Sequence, residues 1–383
     1  MADTCDIVIA GGGPVGSALA LGLRAGRQRV VLLERRVAAA DDDGRTLALS
    51  HGSRLILERL GVWGALSPVT PIEHISVSQQ RGFGRVELSA AEASMPALGY
   101  TINYGLLQRA LTVALRSSAV DVKTGCAAHA VTADTDGVTL EIESSSGADQ
   151  VRARLAVIAD GGSQLKIAHV RMHEYQQAAL VCDVASDAPH QSRAFERFTS
   201  AGPLALLPIE RGWSLVWTAS PSRAQELAAL PEEEFCAQLH AAFGTGLGRL
   251  RLLGVRRVFP LVLKYATRPV APRTLLIGNA AQTLHPFAGQ GLNLGLRDAW
   301  ELARAVVTRG AGDPGASAFV KNYFSQRRFD RTATILFTDS LIRLFSNDIP
   351  LLDRLRGAGL AALGGFAPAK NFLARRMLFG ARG

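Results

Sequence analysis

The stretch Ile7-Val8-Ile9-Ala10-Gly11-Gly12-Gly13-Pro14-Val15-Gly16 decides the fold of this chain. Its apolar opening reads as a strand, its glycines as a tight turn, and the alanine- and leucine-rich residues from Ser17 to about Ala25 as a helix. Gly11 permits the turn, Gly13 lets backbone N–H groups approach a pyrophosphate, and Gly16 lets helix and strand pack closely. The helix directs its positive dipole end at the same anion. The next strand, Val30-Val31-Leu32-Leu33, ends in Glu34, where a carboxylate accepts the hydroxyls of an adenosine ribose and repels a 2′-phosphate. The unit is a dinucleotide-binding strand–turn–helix, open at this stage to a nicotinamide or a flavin nucleotide.

A second glycine-rich run lies near the other end: Gly278-Asn279-Ala280-Ala281-Gln282-Thr283-Leu284-His285-Pro286-Phe287-Ala288-Gly289-Gln290-Gly291-Leu292-Asn293. Thr274-Leu275-Leu276-Ile277 leads into it and a helix from about Leu292 leads out. One cofactor gripped at both ends of the chain accounts for the pair better than two separate sites, and favours a cofactor that stays bound.

Between them, Arg45-Thr46-Leu47-Ala48-Leu49-Ser50 follows an acidic Asp41-Asp42-Asp43-Gly44, and Ser53–Leu60 reads as an amphipathic helix. Arg45 reads either as a buried cation needing a cofactor anion or as a solvated loop arginine. A helix over about Leu106–Arg116 carries Gln108 and Arg109. Strands follow at Ala128–Ala133 and Val138–Ile142, joined by an Asp136-Gly137 hairpin turn. The apolar Leu155–Ala159 ends in Asp160-Gly161-Gly162, which returns the chain to the nucleotide sheet. From about Tyr175 to Phe259 the texture becomes β-rich, interrupted by a helix near Pro231–Phe243. Trp213 and Trp217 share strand parity, as a pocket lining or, more simply, as core. Trp300–Val307, Lys321–Phe345 and a segment starting at Pro350 and broken at Gly364-Gly365 read as helices.

The 383 residues suffice for one large or two joined domains, and 48% of them are hydrophobic. No apolar run is long enough to span a bilayer. The start shows no basic leader, so a cytoplasmic protein is expected, with Cys5, Cys126, Cys182 and Cys236 as reduced thiols. Lys and Arg number 42 against 33 acidic residues. Many of the late arginines alternate with apolar residues, as in Phe372-Leu373-Ala374-Arg375-Arg376-Met377, which suits a membrane-surface or partner-facing element or an ordinary solvated face. No nucleic-acid recognition pattern is present. His169 and His173 are four apart on what reads as a helix, but no further ligand completes a metal site.

Together these segments resemble the flavin-dependent aromatic hydroxylases that use a single nucleotide-binding domain, and within them the ubiquinone-biosynthesis branch. The resemblance rests on Gly11 to Gly16 with Glu34, Arg45 to Ser50, Asp160-Gly161, and Gly278 to Asp298. It implies an α/β fold in which a Rossmann-like FAD-binding domain (1–75, 101–174, 268–310) carries an inserted β-rich substrate domain (76–100, 175–267) and a helical C-terminal region (311–383). It implies FAD, NADH or NADPH as electron donor, and molecular oxygen transferred through a flavin C4a-hydroperoxide. The implied cofactor-binding residues are Gly11, Gly13, Gly16, Glu34, Arg45, Gln108, Asp160, Asn279, Gly289, Gly291, Leu292 and Asn293. Arg109 is a further candidate beside Gln108. His285, Pro286 and Gln290 are the implied catalytic group, with Phe287 bordering the flavin ring. His285 reads either as an acid–base group or as a residue that packs the cofactor.

Gly278-Asn279-Ala280-Ala281-Gln282 stands where most relatives carry Gly-Asp-Ala-Ala-His. This is similar to the branch that hydroxylates 2-polyprenyl-6-methoxyphenol at ring position 4. Asp160-Gly161-Gly162 replaces a more usual Asp-Gly-Ala, and residues 163–170 lack an arginine often found there. The implied substrate is a polyprenyl phenol, with candidate contacts to the inner membrane surface and to other ubiquinone-biosynthesis enzymes. Two other readings remain: a hydroxylase of a small soluble aromatic acid, with a compact polar pocket and a carboxylate-gripping arginine, and a non-catalytic scaffold.

Overall fold

In the computed structural model, residues 3–37, 44–80, 82–145, 147–162, 165, 167–244, 246–268, 270–286, 289–345 and 350–380 are described. Asp41–Asp43, Ser163, Gln164, Lys166, Phe287 and Ala288 lie outside them.

The N-terminal strand Asp3–Ala10 lies between the parallel strands Val30–Glu34 and Gly147–Ile158. Asp121–Thr124 and Thr274–Leu276 extend the parallel set on either side, and Val138–Ser144 folds back onto Gly147–Ile158 as an antiparallel hairpin. Ile7, Ile9, Leu32, Leu155 and Val157 are buried on one face of this sheet, and Val8, Ala10, Val31, Leu33, Ala156 and Ile158 on the other. Burial on both faces explains why these strands read as continuous apolar runs.

Helix α1 spans Pro14–Leu23. It starts three residues before the expected Ser17, because proline is preset for the first helical position. Helix α2 is His51–Arg59, capped by Ser50, and α3 is Tyr104–Arg116, capped by Asn103. The small sheet of Thr46–Ser50, Gly99–Asn103 and Thr70–Ile72 sits between them.

The β-rich middle is a second, eight-stranded sheet. Its order is Gln282–Thr283, Leu250–Ala266, Val170–Ser186, Gly212–Ala219, Gly202–Ile209, Arg193–Thr199, His74–Gln79 and Arg85–Ser89. The helix expected near Pro231–Phe243 is α5, Glu232–Phe243, and a further helix not read in the sequence, α4 at Pro221–Ala229, precedes it. The Ser220 cap and Pro221 at the first turn were the legible signal for α4. Trp213 and Trp217 pack with Phe235 and Leu239 of α5 in one buried cluster, so the core reading applies. His173 lies in the strand Val170–Ser186, which removes the helical spacing read for His169 and His173. No metal-ligand cluster occurs among the described residues.

Helix α6, Gln290–Arg309, starts at Gln290 rather than Leu292, because Gly289 supplies a left-handed cap at φ +59°. The long helices α7, Ser317–Phe345, and α8, Pro350–Gly365, and the shorter α9, Ala367–Phe379, complete the chain. Among the described residues no helix is long and apolar enough to cross a membrane.

A buried polar network fixes α6 against α7. Asp298 accepts from Arg327 Nε at 2.9 Å through Oδ1 and from Gln282 Nε2 at 2.8 Å through Oδ2. Arg297 and Arg327 share Asp330 at 3.2 and 2.9 Å. Arg331 Nε donates to Gln282 at 2.9 Å and a second Arg331 nitrogen donates to the Ala266 carbonyl, which brings in the second sheet. Breaking a buried pair strands the remaining charge. Asp298→Ala is therefore expected to cost about 3–5 kcal/mol in denaturant unfolding; an unchanged midpoint would show that the network does not secure the helices.

Candidate active site

The parallel strands end together. Ala10 lies level with Leu33 and Ile158, and Ile158 level with Leu276. Beyond these carboxyl ends stand Gly11, Glu34, Asp160 and Asn279, at the edge where open α/β sheets bind ligands. A cavity of about 890 Å³ begins there and runs to the second sheet.

The glycines divide into two kinds. Gly11, at φ +112°, and Gly16 serve packing: a Cβ on Gly11 would strike the Ala159 carbonyl, and one on Gly16 the Gly11 carbonyl. Gly13, Gly161 and Gly291 line the cavity, and a Cβ on any of them would meet no protein atom within 4 Å. Bare backbone thus faces open space, at the N-termini of both α1 and α6. That cradle suits the pyrophosphate of FAD.

Glu34 is held in place. Its Oε2 accepts from Gly12 N at 2.9 Å and its Oε1 from Arg36 N and Nε, both at 2.9 Å. Burial raises its pKa, but the Arg36 and Gly12 hydrogen bonds outweigh this and keep the carboxyl below its ordinary range. Glu34 lines the cavity, and a carboxylate keeps further acceptor capacity beyond these bonds. Arg36, unread in the sequence, is thus part of the site.

Gln108 lies behind the glycine turn rather than on the cavity wall. Its Nε2 donates to the Gly12 carbonyl at 2.9 Å, beside Ser17 Oγ at 2.8 Å. Gln108 therefore positions the turn. Arg109 is exposed and off the wall. Arg45 is not buried: it is exposed at the cavity margin, 4.6 Å over the Tyr104 ring.

Asn293 joins the two ends of the chain. Its Oδ1 accepts from Ser50 N at 2.8 Å and Ser53 Oγ at 2.6 Å, and its Nδ2 donates to Ala48 O at 3.0 Å and Gly289 O at 2.7 Å. Four bonds exhaust an asparagine amide, so Asn293 holds the wall, and it lines the cavity together with Gln290, Gly291 and Leu292. Gly289 fits against Ala48, whose Cβ would be 2.9 Å from any Cβ added there.

His285 and Pro286 line the same cavity; Phe287 lies outside the described residues. His285 is 1% exposed and meets the Tyr175 ring edge-on at 5.4 Å. Burial pushes its pKa down to about 4, so the imidazole is neutral at physiological pH. Tyr175 in turn donates to Asp339 of α7 at 2.9 Å.

Beyond this point the wall is largely apolar, with Glu196 and Thr218 of the second sheet as polar members. The second sheet contributes Val77, Val86, Leu88, Ala205, Leu207 and Val216. Helices α7, α8 and α9 contribute Phe337, Leu341, Phe345, Leu360, Leu363, Leu373, Met377 and Leu378. The C-terminal helices, read in the sequence as a surface element, therefore also wall the chamber.

Aspartate is a favoured helix N-cap, and the space beside Gly13 is open. Gly13→Asp is thus expected to leave the apoprotein's unfolding free energy within about 1 kcal/mol of the parent, while its charge repels the pyrophosphate and the purified protein loses its flavin absorbance. Gly11→Asp should lower apoprotein stability itself. Full FAD retention by Gly13→Asp would refute the cradle.

The comparisons agree with this geometry. The model of the FAD binding domain family matches residues 4–334. The ubiquinone hydroxylase UbiL of Rhodospirillum rubrum is 37% identical over 386 residues, covering 97% of this chain and 89% of that protein. The 3-demethoxyubiquinol 3-hydroxylase of Escherichia coli is 34% identical, covering 93% and 94%. The p-nitrophenol 4-monooxygenase PnpA of Pseudomonas putida, at 20% identity, superposes with a TM-score of 0.80 over 100% of both chains and shares the fold. The chain belongs to the FAD binding domain family and is an FAD-dependent aromatic monooxygenase of the ubiquinone hydroxylase branch.

Proposed function

We propose that this enzyme hydroxylates the ring of a polyprenylated phenol in ubiquinone biosynthesis, with 2-polyprenyl-6-methoxyphenol as substrate and ring position 4 as the site. The observation that carries the reading is the chamber: one cavity leads from the nucleotide edge into a space walled by the aliphatic and aromatic residues of the second sheet and helices α7 to α9. A prenyl tail gains about 25 cal/mol for each Å² of apolar surface it buries there. The small-acid reading calls for an arginine beside the ring. Among the described residues the cavity's arginines, Arg35, Arg36 and Arg45, all stand at its nucleotide end.

Bound FAD, reduced by NADH or NADPH, supplies the oxygen-activating chemistry. The protein's part is to bind, orient and exclude water. Gly11, Gly13 and Gly16 shape the pyrophosphate turn, and Glu34 takes the ribose. Asp160, Asn279, Gly289, Gly291 and Leu292 form the opposite wall, fixed by Asn293. His285, Pro286 and Gln290 border the reacting ring; a neutral, ring-packed His285 acts there as a wall and not as an acid.

The reading also divides the chain into the FAD-binding segments 1–75, 101–174 and 268–310, the substrate segments 76–100 and 175–267, and the helical region 311–383. Phe329, Leu336 and Leu344 of α7 and Phe366 and Phe372 around α9 are exposed. With the nearby Arg375 and Arg376 they suit peripheral contact with the inner membrane surface, from which such a substrate is collected, in an otherwise cytoplasmic protein. The same surface suits docking to other enzymes of the pathway.

The name of the Escherichia coli relative specifies a different ring carbon, so product identity is the test. Purified enzyme given NADH or NADPH, oxygen and 2-polyprenyl-6-methoxyphenol is expected to yield the 4-hydroxylated ring by mass spectrometry and NMR. A hydroxyl on another carbon would overturn the position, and an FAD-loaded enzyme that leaves the prenylphenol untouched would overturn the substrate.

A further inference from the structure

One ionisable residue interrupts the largely apolar chamber wall, among the described residues. On the strand Arg193–Thr199, Ala194, Phe195, Glu196 and Phe198 line the cavity. Glu196 lies level with Val77 on one neighbouring strand and Ala205 on the other, and Ala205 lies level with Val216. All four residues of this row line the cavity, and Glu196 is the only ionisable side chain that the second sheet and helices α7 to α9 give it among the described residues. Phe198, two residues along, stacks on Phe345 of α7 at 3.9 Å and so closes the chamber beside it.

Nothing in the fold makes use of this carboxyl. No hydrogen bond or ion pair to its side chain occurs among the described residues, and burial alone shifts its pKa, up to about 8. An unpartnered carboxyl in an apolar wall costs stability, and a group desolvated in this way inside a cleft marks a functional position. It lines the cavity, where a bound molecule can be its partner.

We propose that Glu196 is the substrate-positioning residue of the chamber, hydrogen-bonding the ring hydroxyl of the bound phenol and so fixing which end of the molecule faces the flavin site. This rests on the phenol reading above. A phenolic O–H donates to a carboxyl oxygen, and a protonated carboxyl can also donate to the ring oxygen. The apolar walls accept either end of a largely hydrocarbon molecule, so they cannot orient it alone. A buried polar group of this kind discriminates strongly against a ligand that leaves it unpaired.

The test is binding to the FAD-loaded enzyme, followed by flavin fluorescence, of a short-chain prenylated 6-methoxyphenol and of its O-methyl ether. The parent enzyme should bind the phenol at least about tenfold more tightly than the ether. Glu196→Gln, nearly isosteric and still hydrogen-bonding, should retain part of that preference. Glu196→Leu should bind both alike, unfold at higher temperature than the parent, and divert more reducing equivalents to hydrogen peroxide per product formed. If Glu196→Gln and Glu196→Leu both keep the parent's preference, Glu196 does not hold the hydroxyl. If the parent shows no affinity for the phenol, the failure lies in the substrate reading instead.

Discussion

The amide of Asn293 is the contact on which the rest of the site depends. It is the first-turn side chain of α6 that reaches the strand Thr46–Ser50, and it uses every donor and acceptor it has to do so. Each partner is a backbone or hydroxyl group, and a buried polar group left without a bond costs about 1–3 kcal/mol. The same four bonds bring Gly289 against Ala48. Two segments from opposite ends of the chain become one wall, and the N-terminus of α6 comes to face the cavity that the N-terminus of α1 also faces. A dinucleotide gripped from both ends requires that closure.

The second sheet is attached through the same region. After leaving the parallel sheet at Leu276, the chain turns at Gly278–Ala280 and pairs as Gln282–Thr283 with Lys264 and Tyr265 before α6 begins. Gln282 then reaches Asp298 and Arg331, which carries the connection on to α7. The nucleotide edge, the substrate sheet and the helices that wall the chamber are therefore held by one short segment. This explains how a polar cofactor cleft and an apolar chamber form a single cavity.

The cofactor half of this arrangement was legible in the sequence because its chemistry is local. Gly11, Gly13 and Glu34 act through turn geometry and spacing, and parallel strands buried on both faces announce themselves as apolar runs. The roles of Gln108 and Asn293 were not legible. Both bond protein groups that are distant in sequence, Gly12, Ala48 and Ser50; Gln108 stands off the cavity wall, whereas Asn293 also lines it. The α6 start was misjudged because a left-handed glycine cap leaves no side-chain signal. Glu196 was invisible for a different reason. Arg193-Ala194-Phe195-Glu196-Arg197-Phe198 mixes charge and apolar residues on both faces of its strand, so alternation does not say which face is inward. The chamber role of α7 to α9 was hidden likewise, since their apolar residues are divided between an inner wall and an exposed face.

The central claim is that a single cavity holds both the flavin and a prenylated ring, with the tail against the C-terminal helices. The most direct measurement is a crystal structure of the enzyme with FAD and a prenylated phenol bound. The account predicts density for the ring between the α6 N-terminus and the strand Arg193–Thr199, with the tail running along Leu341, Phe345, Leu363 and Met377. A tail that leaves the nucleotide edge for solvent, with the chamber empty or collapsed around Phe198 and Phe345, would contradict it.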